Sequence, residues 1–141
     1  MKFSVAFAVT VSAVVLVSCG GSNNSNTSTM VNGCSNFTDA TGAGASRTVN
    51  FGGSTLGNSY SPNCLAVAAG QQVTFTGSFT THPLAPGAAA SAGGAAGSPN
   101  NPIQNMTSGN TATFTFPTAG TYPYLCSVHQ QLGMYGAIQV R

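Results

Sequence analysis

From Arg47 to the C-terminus the chain is written in short strand-like runs, each closed by Gly, Pro or Asn. "TATFTF" (111–116) sets Ala112, Phe114 and Phe116 on one side and three threonines on the other. "RTVNF" (47–51) and "QQVTFTG" (71–77) alternate in the same way, and "CLAVAAG" (64–70) is a short apolar run ending in glycine. "TYPYLC" and "YGAIQV" add two more near the end. Alternation with period two places every second side chain on one face, so each run can bury one side and wet the other. The separators "GGSTLGNSYSPN", "SPNNP" and "PTAG" are turn chemistry. Apolar residues at helical spacing are missing after the N-terminal stretch. Several short strands at this spacing predict an all-β sandwich. "APGAAASAGGAAGSP" (85–99) is rich in alanine, but its glycines and flanking prolines oppose a helix, so it reads as a long loop between strands.

Only 3% of the residues are charged: Lys2, Asp39, Arg47 and Arg141. Solubility therefore falls to Ser, Thr, Asn and Gln. Lys2 precedes the apolar run "FSVAFAVTVSAVVLV", a positive n-region and an h-region of secretory length. That run is on the short side for a membrane span, which takes about 20 apolar residues. It ends in "LVSCG" (16–20), similar to a bacterial lipobox, in which the cysteine is acylated and becomes the first mature residue. The alternative is an ordinary cleaved signal with an incidental cysteine. The expected organisation is a lipoprotein signal peptide over 1–18, a lipidated polar linker over 19–32 with Cys19 as the lipid site, and one domain over 33–141. A flexible linker of that length reaches roughly 20 Å, so the domain is expected to work beside a membrane. Gly20, rather than Asp, resembles the sorting signal for the outer membrane, facing the periplasm. Without Lys2 the side chains sum to +1, so no basic patch is available for nucleic acid. Long-range steering toward any partner is expected to be weak, and a monomer is expected.

"GTYPYLCSVHQQLGMYGAIQV" (120–140) concentrates the chemistry. Cys126, His129 and Met134 fall between two strand runs, with Gly133 and Gly136 for tight backbone geometry. A short loop brings their side chains toward one point. The other histidine, His82, follows the strand-like "VTFTGSF" and supplies a second anchor. Two imidazoles and a thiolate with a weak axial thioether form the set suited to blue copper. Zinc would normally take a further Cys, His or carboxylate and would not select Met. The bland alternative is that Met134 fills core, His82 sits in a turn beside Pro83, and the C-x2-H spacing is accidental.

Four cysteines are present: Cys19, Cys34, Cys64 and Cys126. With lipid on Cys19 and metal on Cys126, an oxidising compartment leaves Cys34 to pair with Cys64. Such a bridge adds about 3 kcal/mol in the chain-entropy account. The alternative is that the three remaining thiols stay free or pair otherwise.

Over 120–140 the pattern G-x-Y-x-Y-x-C-S-x-H-Q-x-x-G-M-x-G-x-I-x-V resembles the C-terminal signature of the cupredoxins of the plastocyanin/azurin group. That resemblance implies a Greek-key β-sandwich over about 33–141 with one copper ion at one end. It implies His82 and His129 as Nδ1 ligands, Cys126 as Sγ ligand and Met134 as axial Sδ ligand. Two departures stand out. Pro83 follows the first histidine where the family commonly has Asn, and Pro83 has no N–H to offer the thiolate. Val128 stands where proline is usual, so its N–H is the expected replacement donor. Leu125 precedes Cys126 where plant plastocyanins have Tyr, and acidic docking patches are missing. Redox partners are therefore expected to dock at a neutral patch around His129, made of Leu84, Pro86, Leu132 and the Ala/Gly loop.

The function expected from these residues is a one-electron carrier near a membrane, and not an enzyme. Both histidines are used by one copper site, and Asp39 alone is a poor basis for acid–base catalysis. The competing reading is copper delivery or storage. A metal-free adhesive sandwich is a further alternative.

Overall fold

A computed structural model describes residues 30–141. Among these described residues nine strands form two sheets: β1 (Thr38–Asp39), β2 (Thr48–Phe51), β3 (Tyr60–Ser61), β4 (Cys64–Val67), β5 (Gln72–Thr76), β6 (Leu84–Pro86), β7 (Thr111–Thr115), β8 (Gly120–Cys126) and β9 (Tyr135–Val140). The first sheet has the order β1-β4-β9-β8-β6 and the second β3-β2-β5-β7. Both are mixed: β4 runs parallel to β1 and β9, and β2 parallel to β5, while the remaining pairs are antiparallel. Among the described residues, helix is confined to one turn at Gly53–Leu56 and a 3-10 turn at Gln130–Leu132. The expected all-β sandwich is what the chain forms.

Alternation builds the core. Val49 and Phe51 of β2, Val73 and Phe75 of β5, Leu65 and Val67 of β4, and Ile138 and Val140 of β9 all point between the sheets and are buried. Phe75 stacks edge-on to Tyr124, with ring centroids 4.9 Å apart. Such contacts add to the apolar area that each ring removes from water. On the outer face of the second sheet, Thr74 hydrogen-bonds Thr113 at 2.9 Å and Gln72 reaches Thr115 at 3.2 Å. Hydroxyls and amides thus solvate this face in a chain almost without charge.

The run expected over 64–70 stops at Val67, because Ala68 N–H turns to the side chain of Gln71 and Gly70 takes φ +84°. The expected loop 85–99 begins as strand: Leu84–Pro86 pairs with β8 before the chain leaves the sheet. Pro86 is tolerated there because β6 is an edge strand, where one row of N–H groups is not needed.

The expected linker boundary needs correction. Val31 and Asn32, assigned to the linker, are buried in the domain. Val31 packs with Cys34 and Ala137 in a second, small core on the outer side of the first sheet. Ala95 N–H donates to Met30 O at 2.9 Å, so the Ala/Gly loop closes over this segment. Cys34 and Cys64 are disulfide-bonded, as expected, with Cα atoms 5.7 Å apart. The signal segment, most of the linker and Cys19 lie outside the described residues.

Candidate metal centre

Three of the four sequence-predicted ligands, His82, Cys126 and His129, converge at one end of the sandwich. Cys126 is the last residue of β8 and fully buried. From there the chain makes a compact loop. Leu132 N–H returns to His129 O at 2.9 Å, and Gly133 takes the left-handed conformation at φ +89° that lets the chain reverse. Cys126 N–H donates to Met134 O at 2.9 Å, closing the loop at its base. His82 comes from the other direction. Its N–H donates to Ser78 O at 2.9 Å in a single turn after β5. The two ligand segments are then joined, since Ser127 N–H donates to Pro83 O at 3.0 Å and Leu84 pairs with Cys126.

The ligand atoms face one another. His82 Nδ1 lies 3.1 Å from His129 Nδ1, and Cys126 Sγ lies 3.4 Å from His129 Nδ1. All three ligand atoms fall within 4.8 Å of each other. Metal–imidazole bonds of about 2.0–2.1 Å in a trigonal plane would separate two nitrogens by about 3.5 Å. The residues present therefore fit a single ion. The donor set is nitrogen and sulfur alone, because Asp39, the sole carboxylate side chain, is exposed and its Oδ1 accepts from Thr41 N–H. Burial first, and the neighbouring His129 second, push the His82 pKa down, which favours the neutral imidazole that binds metal.

Gly52 shapes the site, and sequence reading missed it. A Cβ there would come within 2.8 Å of His82 Cδ2 and 3.0 Å of Nε2, so only glycine lets the imidazole lie against the backbone. Phe51 meets the same ring edge-on at 6.2 Å. With that side packed, Nδ1 is the nitrogen turned to His129. The Gly52-Gly53 pair directly after a strand is the signal that marks such a close approach.

Met134 is fully buried and belongs to the same core cluster as Cys126. Two surroundings differ from expectation. Among the described residues, the hydrogen-bond partner of Cys126 Sγ is His129 Nδ1; the Val128 N–H is not engaged with it. Leu84 is not part of a surface patch, because its pairing with Cys126 turns it into the core, where it is 1% exposed. The exposed apolar side chains flanking His129 are Val128 at 61% and Leu132 at 66%.

A family described as copper binding proteins of the plastocyanin/azurin family matches residues 47–141, which include every one of these ligands. The chain belongs to that family. Copper is accordingly the ion to which His82, Cys126 and His129 are matched. Similar solved structures include the oxidised plastocyanin of Dryopteris crassirhizoma, 22% identical, covering 67% of this chain and 99% of that one with a TM-score of 0.47. A pseudoazurin from Sinorhizobium meliloti is 23% identical over 67% of this chain and 72% of its own, with a TM-score of 0.46. A copper nitrite reductase from Thermus scotoductus is 23% identical over 68% of this cupredoxin chain but only 22% of its own, with a TM-score of 0.44. No curated protein matches in sequence.

Proposed function

We propose that this cupredoxin is a one-electron carrier and not an enzyme, with Met134 as the axial fourth ligand. The observation that carries the reading is the convergence of two imidazole nitrogens and one buried thiol sulfur, with His129 left partly open to solvent. Copper bound there would supply a one-electron couple. The chain's own residues hold three donors in a packed, preformed arrangement. A site that changes little between oxidation states has little to reorganise when an electron arrives. Partners reach it at the His129 edge, through Val128 and Leu132, in a neutral surface.

The disulfide fits an oxidising compartment. Acylation at Cys19 would anchor the domain to a bacterial membrane, with the outer membrane facing the periplasm as the proposed location. The supports are "LVSCG" and Gly20. Delivery or storage of copper is the competing role. The two separate in one experiment on the copper-loaded domain, by comparing the rate of reduction and reoxidation with the rate of copper release to a chelator. A carrier cycles many times before losing its ion. Release as fast as reduction would overturn the proposal in favour of delivery.

A further inference from the structure

One buried side chain outside the ligand set hydrogen-bonds the backbone of β8, of β9 and of the loop that follows β6. Asn32 is completely buried and has φ +48°, a left-handed conformation in which asparagine is enriched. Its Nδ2 donates to Tyr124 O at 2.8 Å and to Gly136 O at 2.9 Å, with a longer contact to Gly87 O at 3.3 Å. Its Oδ1 accepts from Ala89 N–H at 2.8 Å.

The addresses of these partners matter. Tyr124 is on β8, shortly before Cys126, and Gly136 is on β9, shortly after Met134. The two stand opposite each other in the β8–β9 register. Gly87 directly follows β6, the strand that continues from His82. Further along the same loop, Ser91 Oγ donates to Gln130 O at 2.8 Å, beside His129. One carboxamide thus ties the backbone of three ligand-bearing segments, and its loop touches the fourth.

We propose that Asn32 is a positioning residue for the metal centre, whose carboxamide sets the mutual placement of the ligand-bearing strands and thereby tunes the copper bound between them. The proposal rests on the copper reading of His82, Cys126 and His129. Both ends of the carboxamide are used, so the site needs donors and an acceptor together. Aspartate has the same shape but would set a carboxylate against three carbonyl oxygens. Groups that hydrogen-bond a ligand directly typically change metal affinity by about 10–100-fold when removed, and Asn32, which acts one step further out through backbone, is expected at the low end of that range. A latch that served stability alone would leave the copper unaltered.

The test compares copper-loaded wild type with Asn32→Asp and Asn32→Gly; glycine keeps the positive φ if aspartate prevents folding. Gln71→Ala is the control. The Gln71 carboxamide also bridges backbone groups, Ala68 N–H and Thr41 O, but at the opposite end, beyond the Val67–Val140 pair. The readouts are the relative intensities of the visible bands, the midpoint potential, the rate of copper release to a chelator and the urea midpoint of the metal-free protein. Both Asn32 variants are expected to change the band ratio, shift the potential and release copper about 10-fold faster or more. Gln71→Ala is expected to lose stability with spectrum and potential unchanged. Asn32 variants that lose stability but keep the wild-type spectrum, potential and release rate would overturn the proposal alone. A wild type that stays colourless with copper would remove the copper reading, and this proposal with it.

Discussion

The Tyr60 hydroxyl is a testable weak point in the core. It is buried and, among the described residues, has no hydrogen-bond partner. Its ring meets Tyr124 edge-on at 4.9 Å and Phe51 at 5.4 Å, so the ring itself is well packed. Leaving a buried hydroxyl unsatisfied costs about 1–3 kcal/mol. Tyr60→Phe keeps the ring and deletes the penalty. At pH 7 the metal-free variant is expected to be more stable by about 1 kcal/mol, which raises the melting temperature by about 4 °C in a domain of this size. Base should widen the gap. Burial first, and the Cys126 charge second, raise the Tyr60 pKa, so in the folded state it stays neutral far into alkali. The unfolded tyrosine ionises near pH 10 and then binds fewer protons than the folded one, so stability falls as pH rises. That loss is about 1.4 kcal/mol per tyrosine at pH 11 and about 2.7 kcal/mol at pH 12. The phenylalanine variant retains the corresponding loss from Tyr124, also raised by burial, and escapes that from Tyr60. Urea unfolding of both metal-free proteins at pH 7 and pH 11 measures the difference. A variant less stable at pH 7, or a gap that fails to widen with pH, would refute the reasoning.

The Cys34–Cys64 bridge closes a loop with a sequence separation of 30. Replacing both cysteines by alanine is expected to lower stability by about 3–4 kcal/mol in the chain-entropy account. Urea unfolding checks this, and a loss under about 1 kcal/mol would contradict it. Met134→Leu is expected to keep the colour and raise the midpoint potential, because the weak axial donor to Cu(II) is lost; voltammetry that finds a lowered potential would contradict the axial role. His129→Gly is expected to open a coordination position that added imidazole refills, seen as returning visible absorption. Failure of that rescue would argue against His129 as the solvent-facing ligand.

Strands long enough to show alternation were legible in the sequence. β2, β5, β7, β8 and β9 fall on the runs read from their patterns, and β4 is shortened only by its turn. β1 and β3 have two residues each, too few to carry a period, and β6 ends in a proline that masked it as loop. The metal cluster was legible because its residue types are rare in this chain and chemically matched. What surrounds it was not. Leu84 looked like surface because it precedes a polar loop, yet its register with Cys126 faces it inward. Asn32 looked like linker because composition counts it as polar. Its burial depends on four backbone partners from β8, β9 and the Ala/Gly loop, which local sequence cannot announce.

The account stands on a thiolate and two imidazoles taking one copper ion. Titrating the purified domain with Cu(II) while recording its visible spectrum tests this most directly. Intense blue absorption that saturates at one ion per chain, and disappears in Cys126→Ala, is the expected result. A protein that stays colourless and redox-silent with copper, or whose colour survives loss of the Cys126 sulfur, would contradict it.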